Sequence, residues 1–326
     1  MKIAAAMTVR DEMHVLPINL AYHRSLGIDE FWICDNGSED GTTEVLRALS
    51  EGRPWIKWLR EPGPFRMSEI VTDLARQATK NGADWIIAID ADEFWSTPSG
   101  SLRDLLATER AGALACGVDN YVQASQVAYD HPASLTTMTY RAKKRGRQED
   151  AKRLVESSEI AFVEMTYPPK LALRPTPSLV VGKGNHHATG FAGVERATTE
   201  MIVMHAPIRA RDRLAYRAEG GRRTAAVHRD PNTDWHLRRV AALEVEEDFE
   251  TEWVMNSYRR GALTVNSSSR PLVRDYRLRN AILPFVSPGA RWSAPIRSRW
   301  KVGRAPTRGS EAPPPPVAIG DSREED

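Results

Sequence analysis

The chain has little with which to cross-link or anchor itself. Only two of its 326 residues are cysteine. Cys34 and Cys116 both sit in apolar, strand-like runs, which argues against a disulfide framework or a thiolate metal site and for buried thiols in a reducing compartment. No uninterrupted apolar run approaches the ~20 residues that span a bilayer. The opening Met1-Lys2-Ile3-Ala4-Ala5-Ala6-Met7 imitates a secretory leader until Arg10-Asp11-Glu12 cuts it off, so it reads as a first strand and the protein as cytoplasmic. Charge of one sign is also missing. A net charge of +2 gives the whole molecule no field suited to nucleic acid or to an acidic surface. The hydrophobic fraction of 41% and charged fraction of 27% are those of an ordinary globular protein with a full-sized core.

What is present is an alternation of strands and helices. Strands are expected at Ile3–Val9, Phe31–Cys34, Trp55–Leu59 and Trp85–Ile89, with helices at His14–Leu26, Thr42–Leu49 and Ser68–Lys80 between them. Such spacing indicates βαβ units and a mostly parallel sheet. Further on the pattern weakens. A helix at Leu102–Thr108, strands at Gly112–Val122 and Met201–His205, and helices at Arg209–Arg223 and Leu237–Arg260 are expected. The basic stretch Arg141–Arg153 reads as a solvated loop, or else as one that closes over an anionic substrate. Residues 287–310 carry Arg291, Arg297, Arg299, Lys301, Arg304 and Arg308 with no acid before Glu311, and Pro313–Pro316 follow. That composition predicts a disordered tail, although Trp292 and Trp300 among the arginines would also suit peripheral contact with an anionic membrane.

The most informative stretch is Ile87-Ala88-Ile89-Asp90-Ala91-Asp92-Glu93-Phe94. A buried parallel strand ending in two carboxylates one residue apart delivers them to the carboxyl edge of the sheet, where open α/β sheets bind ligands. Like charges that close call for a cation between them, commonly a hard divalent ion. The plainer alternative is an acidic loop or a helix N-terminus. Two more polar clusters end neighbouring strands: Thr8-Val9-Arg10-Asp11-Glu12 and Asp35-Asn36-Gly37-Ser38-Glu39-Asp40-Gly41-Thr42. Three strands thus bring polar residues to one edge. The glycine-rich turn lacks both the lysine of a P-loop and the G-x-G-x-x-G of a dinucleotide fold.

In this order, strand-Arg-Asp-Glu, then Asp-Asn-Gly-Ser, then Asp-Ala-Asp-Glu-Phe, the chain resembles the family 2 glycosyltransferases and their GT-A relatives. It is most similar to a bacterial branch with a later H-x-P-x-R, here His205-Ala206-Pro207-Ile208-Arg209. Lys170–Pro175 and Asn185-His186-His187 also resemble that branch. The resemblance implies a GT-A nucleotide-diphospho-sugar transferase fold over residues 1–225, with a nucleotide-binding half (1–120) and an acceptor half (121–225). C-terminal helices (226–285) and the tail (286–326) would follow.

It implies inverting transfer from a nucleotide-sugar to a hydroxyl of a glycan or lipid-linked acceptor, with Mg²⁺ or Mn²⁺ as cofactor and no nucleic-acid partner. Thr8, Arg10, Asp11 and Glu12 would contact the nucleotide, Asp35 and Asn36 its base or ribose, and Asp90-Ala91-Asp92 the sugar diphosphate. Asp90, Asp92 and His205 would hold the metal, with His186 and His187 as substitutes for His205, which is otherwise an ordinary strand-end histidine. The catalytic base stays open among Asp119, Asp150 (in Glu149-Asp150) and Asp248 (in Glu247-Asp248). Two other classes stay in view: a non-catalytic relative that binds nucleotide or glycan, and an aspartate-dependent phosphatase. The phosphatase is disfavoured by Phe94 and Trp95 standing where its threonine would be.

Overall fold

A computed structural model describes residues 1–64, 66–245, 248–259 and 272–286. From residue 287 on, the segment read as a disordered, membrane-suited tail lies outside the described residues, as does Glu247. The N-terminal part follows the expected alternation: β1 (Ile3–Val9), α1 (Leu16–Ser25), β2 (Glu30–Asp35), α2 (Thr42–Ser50), β3 (Ile56–Arg60), α3 (Met67–Lys80) and β4 (Trp85–Ala88). β1 pairs in parallel with both β2 and β4, and β2 with β3. Side chains alternate across the pleat, so one face of β1 carries Ile3, Ala5, Met7 and Val9 into the core with Leu16 and Leu20 of α1. The other face presents only Ala4 and Ala6, and these small residues let Ile70, Val71, Leu74 and Ala75 of α3 pack close.

After the acidic turn the chain departs from the simple alternation. β5 (Glu93–Ser96) leads to α4 (Leu102–Thr108) and the long β6 (Ala113–Ala124), then β7 (Tyr140–Arg141), α5 (Ala151–Glu156), β8 (Lys170–Leu173), the β9 (Pro175–Val181)–β10 (Ala188–Phe191) hairpin and β11 (Glu195–His205). β8 inserts antiparallel between β4 and β6, and β11 runs parallel to β6 and antiparallel to β5. The main sheet order is β7-β6-β8-β4-β1-β2-β3, mostly parallel in strand direction and flanked by helices. This is the α/β class expected.

The helices after the sheet differ from the sequence reading in three places. α6 (Arg213–Val227) begins later than expected, and the helix expected over 237–260 is two, α7 (Trp235–Val245) and α8 (Phe249–Asn256). Val240 of α7 and Trp253 of α8 join Leu214 and Ala218 of α6 in one buried cluster. The basic stretch 141–153 is partly folded too, because Ala151 and Val155 of α5 bury in the same cluster with Ile208. Two short strands, β12 (Ser257–Tyr258) and β13 (Val273–Arg274), and the helix α9 (Arg277–Ile282) complete the described part. None of the described helices is long and apolar enough to cross a membrane.

Candidate active site

At the carboxyl ends of β1 and β4 lies an open cleft of about 490 Å³. Thr8–Glu12 and Asp90–Glu93 form one side. Tyr167, Lys170, Lys183 and His186, one face of α6 and the start of α7 complete the lining. Asp35 and Asp90 therefore share an edge, since Asp35 is in register with Val9 and Ala88 with Ala6.

The acidic turn is held from behind by α1. Asn19 donates its amide to the carbonyls of Ala91 (3.0 Å) and Glu93 (2.8 Å). One turn later His23 accepts the backbone N–H of Trp95 at Nε2 (3.1 Å), so its Nδ1 carries the proton and donates to Asn19. An i, i+4 pair on a helix thus supplies the hydrogen bonds that a turn between two strands lacks. Burial pushes His23 down to about 3, and the neutral ring is the form that fits.

β11 brings the histidine. Antiparallel pairing sets His205 opposite Glu93, and Ala206 N–H donates to the Asp92 carbonyl at 2.9 Å. The parallel pairing with β6 sets Asn120 beside His205. The Asn120 amide nitrogen donates to the Val163 carbonyl (3.0 Å), which turns its oxygen toward His205 Nδ1 (2.9 Å). A neutral His205 must then donate from Nδ1, and its Nε2 lone pair faces Asp92 Oδ2 at 3.6 Å. Two acceptors so placed call for a cation between them, and an imidazole oriented by a second hydrogen bond is the usual metal-ready form. Burial opposes charge on Asp92, but His205 in its protonated form, with Arg209 and Arg217, outweighs it and holds the carboxyl well below its ordinary range, so that without a cation the two side chains form an ion pair instead.

Asp90 is placed differently. Lys170, buried on β8, lies 3.1 Å from Asp90 Oδ2 and 2.5 Å from Glu93. Extending the β4–β8 register from Ile87↔Ala172 brings Lys170 alongside Ile89. Lys170 thus supplies positive charge to the first carboxylate. Among the described residues no three His, Cys, Asp or Glu side chains form a cage for a metal. Asp92 and His205 fit a divalent ion as two protein ligands, with phosphate and water completing the shell.

The other expected residues fall as follows. Thr8 lines the cleft with its hydroxyl buried and unpartnered. Arg10 and Asp11 line it, with Arg10 donating to the Asn36 carbonyl (2.9 Å) and Asp11 accepting the Glu39 N–H (2.7 Å). Glu12 also lines it, but its two oxygens hold Arg209 (2.5 Å) and Arg213 (2.8 Å). Asp35 is fully buried and accepts from Ser38 N–H and Thr43 Oγ1, and Asn36 is held by Arg223 and the Glu61 carbonyl. His186 lines the cleft and burial lowers it to about 4.

The three base candidates lie outside the cleft lining. Asp119 is one residue out of phase with Asn120 on β6 and bonds Arg277 (2.9 Å); Asp150 precedes α5, and Asp248 precedes α8. A different carboxylate, Asp234, lines the cleft, with φ +50°. It sits 2.6 Å from Lys183 and accepts the Thr224 hydroxyl at 2.9 Å. Lys170, Asn120, Asn19, Arg217 and Asp234 are the residues that sequence reasoning gave no role. Only Lys170, a charged residue opening a four-residue apolar strand, carried a local signal.

Residues 18–162 match the glycosyl transferase family 2 model, bearing out the resemblance over that span. A glycosyltransferase family 92 protein from Oryza sativa subsp. japonica is 30% identical over 107 residues, which is 30% of this chain and 17% of that protein. A Pyrobaculum calidifontis mannosyltransferase, solved with GDP-Man and Mn²⁺, aligns at 14% identity and TM-score 0.37 over 77% of this chain and 72% of that one. Staphylococcus aureus TarS with UDP aligns at 12% identity and TM-score 0.36 over the same shares, 77% and 72%.

Proposed function

We propose that the protein is a divalent-metal-dependent glycosyltransferase that moves a sugar from a nucleotide-sugar to an acceptor hydroxyl with inversion. The observation that carries this reading is the pair Asp92 and His205, two side chains facing at 3.6 Å in a cleft also lined by Arg213, Arg217 and Arg223 of one helix. Carboxylate and imidazole ligands beside fixed arginines suit a diphosphate that must leave with its charge neutralised. Asp92 and His205 would hold Mg²⁺ or Mn²⁺, which supplies positive charge at that diphosphate.

In the transfer itself the acceptor oxygen bonds to the anomeric carbon while the bond from that carbon to the phosphate oxygen breaks. The electron pair leaves with the nucleoside diphosphate, and a carboxylate takes the acceptor proton. Asp234 is the carboxylate proposed for that role: it lines the cleft, apart from the acidic turn, with Lys183 2.6 Å away. The aromatic surfaces of Tyr167, Trp235 and His236 on the same cleft suit the apolar face of a sugar, supporting a glycan acceptor.

The test is calorimetric titration of UDP and GDP with and without Mn²⁺ on wild type and Asp92→Asn. Metal should tighten binding of one nucleotide in wild type. The isosteric, uncharged variant should lose at least the roughly tenfold that removal of even an outer metal partner brings, while still unfolding cooperatively at a somewhat lower melting temperature, since it also loses the charge contacts of Asp92 with Arg209 and Arg217. Equal metal-supported binding in both proteins would remove Asp92 from the metal site, and no nucleotide binding at all would overturn the reading.

A further inference from the structure

Arg217 lines the cleft and forms no ion pair among the described residues. The other basic residues that line it are engaged: Lys170 with Asp90 and Glu93, Lys183 with Asp234, Arg213 with Glu12, and Arg10 with Asp11. Arg223 forms no ion pair among the described residues but donates to Asn36 Oδ1 (2.7 Å) and the Gly63 carbonyl (2.9 Å). Among the described residues Arg217 makes one long hydrogen bond, Nη1 to the Pro207 carbonyl at 3.3 Å, and its Nε is buried with no partner there. A guanidinium has five N–H donors, so most of this one's capacity is unspent.

Its orientation is nevertheless fixed. The group lies over the Phe162 ring at 4.6 Å from the centroid, and it stands one helical turn beyond Arg213 on the face of α6 that lines the cleft, within electrostatic reach of Asp92. Burial lowers its proton affinity, with Asp92 only partly offsetting that effect. A rigid, desolvated, under-bonded guanidinium in a cleft is matched by a planar or tetrahedral oxyanion that it can grip with two parallel hydrogen bonds.

Resting on the reading of this cleft as a nucleotide-sugar site, we propose that Arg217 binds the terminal phosphate of the nucleoside diphosphate. It then stabilises the electron pair that this phosphate receives when the bond to the sugar breaks. No proton moves in this step; Arg217 stays protonated throughout. It supplies fixed charge on the side of the phosphate away from Lys170, so the leaving group is neutralised by the protein as well as by the ion that Asp92 and His205 would hold.

The experiment compares nucleoside mono- and diphosphates (UMP against UDP, GMP against GDP, with Mn²⁺) on wild type, Arg217→Gln and Arg217→Lys, alongside thermal unfolding of each. Diphosphate affinity should fall roughly tenfold to hundredfold in Arg217→Gln, the span of a hydrogen bond to a charged group. Monophosphate affinity should hardly change, and Arg217→Lys should recover part of the loss. Melting temperature should change little, because the free protein loses a buried charge whose desolvation its neighbours only partly offset. Equal effects on mono- and diphosphate, or a lower melting temperature with an unchanged affinity ratio, would make Arg217 structural and overturn the proposal. Should Arg217→Gln fail to fold, Arg217→Lys decides: an unchanged diphosphate affinity and ratio overturns it. Failure of wild type to bind either diphosphate would instead bring down the reading of the site, and the proposal with it.

Discussion

His23 should make the stability of this protein depend on pH in a way that two substitutions can isolate. Its ring is fully buried, accepts the Trp95 N–H and donates to Asn19, so only the neutral form fits. Burial holds its folded-state value near 3 against 6.5 when free. Below pH 6.5 the unfolded chain therefore takes up a proton that the folded chain does not. The stabilising contribution is complete above 6.5 and is lost as pH falls toward 3, at about 1.4 kcal/mol per unit. At pH 5 the loss amounts to about 2 kcal/mol.

His23→Gln keeps an acceptor for the Trp95 N–H but cannot titrate. The stability gap between wild type and this variant should shift by about 2 kcal/mol in the variant's favour between pH 7.5 and pH 5. His23→Leu should show the same loss of slope plus a pH-independent penalty of about 1–3 kcal/mol for the orphaned N–H. Urea unfolding followed by tryptophan fluorescence at several pH values measures all three. Parallel stability curves for wild type and His23→Gln over that range would refute the argument. Because Asn19 and His23 are what hold the turn carrying Asp90 and Asp92, His23→Leu should also weaken metal-supported nucleotide binding.

Two further outcomes are expected. A Cβ at Gly221 would lie 2.2 Å from the Leu237 carbonyl oxygen, whereas one at Gly220 meets only the Leu237 Cδ1 at 3.4 Å. Gly221→Ala should therefore lose about 1–3 kcal/mol through overpacking despite better helix propensity, while Gly220→Ala gains up to about 1 kcal/mol; urea midpoints in the opposite order would contradict the packing of α7 on α6. Asp234→Asn should lower turnover about 10²–10⁴-fold with nucleotide affinity and melting temperature unchanged, and undiminished turnover would exclude Asp234 as the base.

The sequence by itself determined the N-terminal parallel sheet and the carboxyl edge where its polar clusters gather. Periods of 2 and 3.6, with glycines and polar residues between, are local properties of chain segments, and Ile3–Val9, Glu30–Asp35 and Trp85–Ala88 carry them cleanly. Asp92 was legible for the same reason, as the tip of such a strand. The division of labour between the two acidic-tip aspartates was not. Lys170 reaches Asp90 only because β8 inserts antiparallel beside β4, 80 residues on in sequence. His205 meets Asp92 only because β11 pairs with β5 in one register and with β6 in another. A shift of one residue in either register would turn His205 to the opposite face. The same phase argument removes Asp119 from the cleft and puts Asn120 behind the histidine. Arg217 and Asp234 gave no signal at all, since an arginine within a helix and an aspartate before one are ordinary features of any surface. Their place in the cleft comes from α6 and α7 folding back over the sheet edge, a long-range packing choice that no local pattern encodes.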